Sequence, residues 1–323
     1  MNNNFYSYNS EYYYEKKVKT IAQIRKHSNL VGTGVLCFLG VSVILSIFLK
    51  FFNLSEMISA NEIASECFEI LFSILAIFIP FFVIMFSVKK YHFDDSFALS
   101  KPFDKSLFLS AVPAGLMLCL VGDKISSYIY IFFKKFGVEL TTAVDTELPK
   151  NPFAILLFVL SSCFVASMVE EFAMRCIALQ PLRKYGEKYA IIMTSIVFGL
   201  MHQNITQGIF AFMAGLVLSY FAISTGSVWC SMIIHGLNNL LSVVTQILVE
   251  QNDNIATYFY VVITVVIYIL GTVGLVFFIK NKNRHILFKP EMPYIKTSEK
   301  LSAFLLSPAM LAAIIFLLIN SIF

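Results

Sequence analysis

The sequence contains few charged residues. Asp, Glu, Lys and Arg make up 14% of its 323 residues, against about 25% in an ordinary soluble domain. Hydrophobic residues make up 58%, and the mean hydropathy is +0.77. This composition excludes a soluble globular domain, and several apolar runs approach the length of about 20 residues that crosses a bilayer. The sequence therefore predicts an all-α fold, a polytopic transmembrane helical bundle in the cell membrane, with membrane lipids as its surroundings.

Several motifs that would indicate other classes of protein are absent from the sequence. The six cysteines form no CxxC pair and five lie in apolar segments, so neither a zinc site nor a disulfide framework is suggested. There is no Gly-rich phosphate-binding loop and no internal repeat. The first apolar run, 30–49, is long for a signal peptide, and no small-residue cleavage site follows it. We therefore expect a single membrane domain with no cleavable signal peptide.

Nine apolar segments are candidate spans: 30–52, 68–88, 106–133, 152–182, 189–203, 207–224, 228–249, 255–279 and 301–323. The short segments around His202 are the least suited to cross alone, so we expect about 8–9 spans in total. The chain then divides into a polar cytoplasmic N-terminal tail, N-terminal transmembrane helices, a core that carries the ionisable residues, and C-terminal transmembrane helices, over 1–27, 28–150, 151–249 and 250–323.

The distribution of lysine and arginine predicts the orientation. With a cytoplasmic N-terminus, the inner segments hold eighteen basic residues, and the outer segments hold only Lys50, Lys134, Lys135 and Lys150. Cytoplasmic loops carry such an excess, so we predict an inner N-terminus and, with nine spans, an outer C-terminus. The net charge of +4 is explained by this orientation, and no nucleic-acid partner is expected. The tyrosine- and lysine-containing tail, 1–27, is interpreted as a disordered or interfacial arm.

One stretch places ionisable residues inside an apolar run. Glu170, Glu171 and Arg175 lie between Phe153 and Leu182, and ionisable residues in a membrane segment usually mark a functional site. At helical spacing Glu171 and Arg175 share one face and can form an ion pair. Glu170 points about 100° away and is free for another task.

Two histidines and an asparagine add to this set. His202 ends the run from Phe198, and His235 is followed on the same helical face by Asn239. Either histidine alone would more often be a core residue bonded to a carbonyl. Counted at about 1.5 Å per residue from the inner helix ends, however, all of these side chains fall at a common depth. Together they predict an intramembrane polar cavity.

These residues form three ordered motifs, Glu-Glu-x-x-x-Arg at 170–175, Phe-x-x-x-His at 198–202 and His-x-x-x-Asn at 235–239. In this respect the sequence resembles the CPBP intramembrane proteases, which include the type II CAAX prenyl proteases and the bacterial Abi proteins linked to bacteriocin processing and immunity. The resemblance covers roughly residues 150–245, which makes 151–249 a CPBP-like catalytic core.

The resemblance implies a role for each motif residue. Glu170 would be the general base, and His202 would help to bind and polarise the attacking water. His235 and Asn239 would stabilise the oxyanion of the tetrahedral intermediate. Glu171 and Arg175 would form a structural ion pair. A carboxylate base with preplaced oxyanion donors is coherent chemistry for peptide hydrolysis.

The involvement of a metal is left open by the sequence. Glu170, His202 and His235 could together bind a catalytic zinc ion, and the family is often described as metalloproteases. There is no HExxH motif, however, and an asparagine is a poor zinc ligand. We therefore favour a reaction that uses no cofactor, with zinc as the alternative.

The leading functional hypothesis is an intramembrane endopeptidase acting on membrane-associated, prenylated or bacteriocin-like peptides. Its peptide or protein substrate is expected to enter from the cytoplasmic side, because the predicted cavity lies in the inner leaflet and the eighteen-to-four bias of basic residues makes that side cytoplasmic. A non-catalytic immunity or scaffold protein that binds a peptide or membrane partner is the first alternative. A transporter is the second, but no paired Gly/Pro-broken helices occur in corresponding halves.

Overall fold

The computed structural model describes residues 3–89, 102, 104–138, 140 and 148–322, and every regular element within these ranges is a helix. Three short π-helical stretches interrupt the α-helices; they are π1 (Ile74–Phe78), π2 (Leu160–Val165) and π3 (Phe172–Ala178). The α-helices are α1 (Asn3–Phe51), α2 (Leu54–Ser59), α3 (Glu62–Ser73), α4 (Ile79–Lys89), α5 (Lys105–Lys135), α6 (Pro152–Val159), α7 (Ala166–Glu171), α8 (Gln180–Arg183), α9 (Glu187–Met201), α10 (Ile205–Thr225), α11 (Val228–Gln251), α12 (Asp253–Lys280), α13 (Thr297–Leu305) and α14 (Pro308–Ile322).

Seven helical segments in the described ranges are long and apolar enough to cross a membrane, and a bent pair would make eight. This confirms the predicted polytopic helical bundle. Two of the nine apolar segments behave differently from the rest. Helix α9 has only 15 residues, and α13 and α14 meet at an angle of 71°. Pro308 lies at that bend, where its missing N–H and fixed φ prevent α13 from continuing.

The lysine-rich segments meet at one end of the bundle. The Phe288 amide donates to Glu187, the His285 amide donates to the Ser224 carbonyl, and Asn281 bonds Ser106. We call this end the basic end. Its described Lys and Arg residues are Lys16, Lys17, Lys19, Arg25, Lys26, Lys105, Arg183, Lys184, Lys188, Lys280, Lys282, Arg284, Lys289, Lys296 and Lys300.

The opposite end of the bundle carries far fewer basic residues. Glu62, at the start of α3, accepts hydrogen bonds from the backbone amides of Lys150 and Asn151, just before α6. The Leu148 amide donates to Glu250, near the end of α11. We call this the opposite end, and its described basic residues are Lys50, Lys134, Lys135 and Lys150. The sequence pattern therefore corresponds to a real asymmetry between two surfaces.

The N-terminal tail is more ordered than the sequence suggested. Residues 3–51 form the single helix α1, which differs from a disordered arm; the other expectation, an interfacial arm, stays a prediction. Lys17 forms an ion pair with Glu299, and the Tyr185 hydroxyl lies 3.2 Å from Nδ1 of His27. These contacts hold the part of α1 from Lys17 to His27 against the basic end, where the polar segments between α12 and α13 also lie.

Close packing of α9 against α10 brings His202 into the bundle. A Cβ atom on Gly199 would lie 2.7 Å from the carbonyl oxygen of Gly208, and one on Gly208 would lie 2.9 Å from that of Gly199. No larger residue allows this approach of two backbones. Helix α9 then ends at Met201 with His202 as its C-cap, and the next residue, Gln203, adopts a positive φ of 50°. A three-residue connection leads into α10.

Candidate active site

The Glu170–Glu171 pair lies in one turn of α-helix between two π-helical stretches. Helix α7 contains both residues, with π2 before it and π3 after it. Such π-helical turns are uncommon and are frequent at functional sites. Arg175 belongs to π3, so the regular helical spacing assumed from the sequence does not hold through this segment. The pairing expected from that spacing nevertheless forms.

Glu171 and Arg175 make a buried ion pair. Oε1 of Glu171 lies 2.8 Å from Nη1 of Arg175, and their side chains are 0% and 1% exposed. The guanidinium also lies over the ring of Phe198, 4.7 Å from its centroid, and Nη2 is 3.5 Å from the Gly215 carbonyl. This arrangement ties the α7–π3 segment to α9 and α10, and it fits the structural role predicted for the pair.

Glu171 has a second partner that the sequence did not predict. The same Oε1 atom lies 3.1 Å from Nδ1 of His235. Because a carboxylate paired with Arg175 can only accept, Nδ1 of His235 carries the proton that it donates. Nε2 of His235 then faces the site and lies 3.9 Å from Oε2 of Glu170. Glu171 therefore fixes the ring orientation of His235 as well as pairing with the arginine.

His202 is oriented by a backbone carbonyl. Its Nδ1 lies 2.8 Å from the oxygen of Phe198, four residues earlier. Since a carbonyl only accepts, Nδ1 is the protonated nitrogen and Nε2 of a neutral ring carries a free lone pair. The Phe198 ring packs edge-on against the rings of both His202 and His235, with centroid distances of 5.0 and 6.0 Å.

Asn239 is held by the π2 stretch. Its Nδ2 donates to the carbonyl oxygen of Ser162 at 2.9 Å. An amide nitrogen has two protons, so one remains to donate elsewhere. Gly236 lets α11 approach closely, because a Cβ atom there would lie 3.1 Å from the Cys163 carbonyl. The amide proposed as an oxyanion donor is thus positioned by a backbone contact between α11 and π2.

All four predicted catalytic side chains line one cavity of about 780 Å³, namely those of Glu170, His202, His235 and Asn239. Glu171 and Arg175 lie behind its wall. Oε2 of Glu170 is buried and has no hydrogen-bond partner among the residues that the structure describes. Its side chain is 23% exposed, so one carboxylate is held by Arg175 and the other is presented to the cavity. The predicted polar intramembrane cavity is therefore present.

The cavity extends towards the opposite end of the bundle. Beyond the four motif residues, its lining on α11 continues through Ser242 and Gln246 to Val249, close to the end of that helix at Gln251. Ser127 on α5 and Gln207 on α10 also contribute, and both are exposed. The motif residues lie at the end of the cavity nearer the basic end, and the expected entry of substrate from the cytoplasmic side stays a prediction.

The motif residues do not stand at the spacing of a metal site. Within the described ranges, no group of three His, Cys, Asp or Glu side chains is arranged to hold a metal ion. Nδ1 of His235 is engaged by Glu171, and its Nε2 lies 3.9 Å from Glu170. A zinc site needs about three protein ligands at 2.0–2.3 Å from one point. Glu170, His202 and His235 therefore do not fit a zinc ion in this arrangement.

A second carboxylate cluster lies outside the candidate spans, at the basic end. Glu187 accepts from the side chains of Arg183 and His285 and from the Phe288 amide. Burial alone would raise the pKa of Glu187, but these hydrogen bonds outweigh it and hold the pKa below its ordinary value of 4.5. The cluster joins α8, α9 and the segment before α13. The hydrogen bonds that Glu187 already accepts indicate that its role is structural.

Three features of the site were missed by the sequence reasoning. Phe198 was noted only as a motif position, although its ring contacts Arg175, His202 and His235. The Glu171–His235 and Asn239–Ser162 contacts join helices far apart in sequence. The polar face of α11 beyond Asn239, at Ser242 and Gln246, could have been found from its helical spacing of three to four residues.

Comparison with known families agrees with the site. Residues 152–241 match the family model described as type II CAAX prenyl endopeptidase Rce1-like. The matched segment contains all three motifs, and it confirms the resemblance to the CPBP and CAAX proteases. It supports an intramembrane protease activity and a peptide as the substrate. No curated protein and no solved structure matches the chain.

Proposed function

We propose that this protein is an intramembrane endopeptidase that hydrolyses membrane-associated peptides with a water molecule activated by Glu170 and His202. The observation that carries the proposal is the convergence of Glu170, His202, His235 and Asn239 on one cavity. The family match over residues 152–241 supports the same reaction class. A second observation, the fixed pair of Glu171 and Arg175, leaves Glu170 as the available carboxylate.

Hydrolysis in this cavity would begin with a water between Glu170 and His202. The carboxylate accepts one proton of the water, and the lone pair on Nε2 of His202 accepts a hydrogen bond from the other. The oxygen adds to the peptide carbonyl carbon, and the proton held by Glu170 passes to the departing amine nitrogen. This sequence is general base followed by general acid catalysis by one group.

The developing oxyanion would be stabilised from α11. Asn239 would donate its second amide proton to the oxyanion. Its side chain is already held by the bond to the Ser162 carbonyl, so little reorganisation is needed when charge develops. His235 can donate from Nε2 when that nitrogen is protonated, and the carboxylate of Glu171 on its other nitrogen holds the ring in the orientation that this bond needs. Glu171 would thus act as a positioning residue.

The proposal uses no metal ion. Its support is the arrangement of the motif side chains, which does not bring three ligands to one point. We also propose that the protein lies in the cell membrane with its N-terminus in the cytoplasm. The support for this orientation is the collection of lysine- and arginine-rich segments at the basic end.

The experiment is a cleavage assay of purified protein reconstituted in liposomes. A panel of quenched fluorescent peptides, with and without a prenyl group, is incubated with the wild type and with the Glu170→Gln and Ile233→Ala variants. We expect cleavage by the wild type, its loss in Glu170→Gln, and its retention in Ile233→Ala, whose side chain lies on the exposed face of α11, with equal folded yield. Peptide binding without cleavage by the wild type would contradict the proposal and favour the non-catalytic scaffold or immunity function.

A further inference from the structure

The residues of α11 that line the cavity show how far the cavity lies from the basic end. This helix runs from Val228 at the basic end to Gln251 at the opposite end. At about 1.5 Å per residue, His235 lies roughly 10 Å above Val228 and Val249 roughly 31 Å above it. The cavity lining on α11 lies between these two residues. On this helix the cavity therefore begins at the motif residue His235 and ends close to the outer end of the helix.

Two other helices place the cavity in the same part of the bundle. On α5, which starts at the basic end, the lining runs from Cys119 to Ser127, roughly 21–33 Å from Lys105. On α10, which runs towards the basic end, it extends from Leu218 to Thr206, roughly 10–28 Å from Thr225. Three independent helices therefore place the cavity in the part of the bundle away from the basic end.

The bundle is closed between the site and the basic end. Ile177, Leu179 and Leu182 follow the ion pair along the chain towards that end, and they are 1%, 0% and 0% exposed. Phe221 and Ile223, in the last turns of α10, are also fully buried. Protein interiors pack at the density of organic crystals, so this apolar layer leaves no passage for a peptide from the basic end.

The residues beyond the site form a polar track. Asn238, Ser242 and Gln246 continue one face of α11 from the motif residues to the opposite end, and they line the cavity. Ser127 and Gln207 face the same space from α5 and α10. Amide and hydroxyl groups match the backbone N–H and C=O groups of an extended peptide. A prenyl chain has no groups that could form these hydrogen bonds with the track.

We infer that the cavity opens on the non-cytoplasmic side of the membrane and takes a polar, extended peptide segment presented from that side. The side follows from the basic end being cytoplasmic. The substrate class follows from the polar track, and this inference rests on the proposed peptidase function. The substrate would be a secreted peptide or the outer segment of a membrane-anchored one, and a prenylated cytoplasmic C-terminus would have no route to Glu170.

The test measures access and needs no catalytic activity, so it is independent of the proposed function. Cys37, Cys67 and Cys119 are first replaced by alanine, which leaves Cys163, Cys176 and Cys230 buried in the interior. Single cysteines are then introduced in separate variants: Ser242→Cys in the cavity, Asp253→Cys at the opposite end and Lys282→Cys at the basic end. Each is treated with a membrane-impermeant maleimide in spheroplasts and in inverted vesicles.

We expect Ser242→Cys and Asp253→Cys to be labelled in spheroplasts, and Lys282→Cys only in inverted vesicles. Ser219→Cys, whose side chain is 1% exposed on α10, is the matched buried control and should resist the reagent in both preparations. Labelling of Ser242→Cys together with Lys282→Cys would overturn the predicted opening. Labelling of Ser242→Cys and Asp253→Cys from the cytoplasmic side alone would overturn the side of access.

A second measurement tests the substrate class. In the liposome assay, Gln246→Ala and Ser242→Ala should raise KM about tenfold or more for a cleaved unprenylated peptide and leave kcat within about twofold, because they remove binding that is equal in the ground and transition states. Ile233→Ala, on the exposed face of α11, is the control. Preferred cleavage of prenylated peptides, unaffected by the track variants, would overturn the assignment of a polar peptide substrate.

Discussion

Oε1 of Glu171 lies 3.1 Å from Nδ1 of His235 and 2.8 Å from Nη1 of Arg175. One oxygen atom therefore joins a buried ion pair to a histidine at the cavity wall. A histidine bonded on one nitrogen to a carboxylate has a defined ring orientation, and its other nitrogen faces the reacting space. Glu171 thus stabilises the fold through Arg175 and positions the ring of His235 with the same oxygen atom. These two roles can be separated by mutation.

The Arg175→Ala variant should be poorly folded. It leaves Glu171 as an uncompensated buried charge, which typically costs ~3–5 kcal/mol. We expect a lower folded yield in the membrane and a lower thermal unfolding midpoint in detergent. Glu170→Gln is the control, since its side chain faces the cavity, and it should retain the yield. Full folded yield of both variants, with equal loss of activity, would instead place Arg175 in the reaction itself.

The double variant Glu171→Gln/Arg175→Met should fold and yet be slow. Removing both charges of a buried pair is often close to neutral for stability, so the folded yield should recover relative to Arg175→Ala. His235 loses its anionic partner, however, and kcat should fall about tenfold or more with little change in KM. Recovery of yield together with wild-type kcat would show that Glu171 serves stability alone.

The Asn239→Ala variant should lower kcat by about 10²-fold or more, the scale for one oxyanion donor. It also leaves the Ser162 carbonyl without its partner, at a cost of about 1–3 kcal/mol, so unfolding is measured in parallel. Asn238→Ala, on the neighbouring cavity position, is the matched control for kcat. An equal and small effect of the two substitutions would remove Asn239 from the oxyanion site.

The Gly199→Ala variant should displace His202. The added Cβ would lie 2.7 Å from the Gly208 carbonyl oxygen, so α9 and α10 must move apart. Overpacking of this kind costs about 1–3 kcal/mol, and we expect both the unfolding midpoint and the cleavage rate to fall. Gly40→Ala is the control, because a Cβ at Gly40 meets nothing within 4 Å. Unchanged activity of Gly199→Ala would show that the position of His202 does not depend on this contact.

Activity should survive removal of metals. A carboxylate base can activate water at neutral pH without a bound ion, so the purified protein should contain substoichiometric zinc by elemental analysis. Incubation with a non-denaturing chelator, followed by the peptide assay, should leave the rate unchanged. Stoichiometric zinc, with activity lost on chelation and restored by zinc, would make Glu170, His202 and His235 ligands and would require their side chains to rearrange.

Features that depend on neighbours along the chain were predictable from the sequence. The apolar runs gave most of the spans, because a membrane segment must satisfy its backbone hydrogen bonds within its own helix. The pairing of Glu171 with Arg175 follows from their four-residue separation, and it persists even though π3 alters the local helix. The uneven distribution of lysine gave the predicted orientation, and the ordered motifs indicated the enzyme class.

Only the tertiary structure decided how these segments meet. Glu171 contacts His235 across 64 residues, and Asn239 contacts Ser162 across 77, and no local periodicity encodes either distance. Gly199 and Gly208 bring the backbones of α9 and α10 together beside His202, which is visible only when both helices are in place. The direction of the cavity is also a tertiary property. Counting residues along the sequence gives the depth of Glu171 and His235, but it does not reveal the packed layer at Ile177 and Leu182 that closes one side.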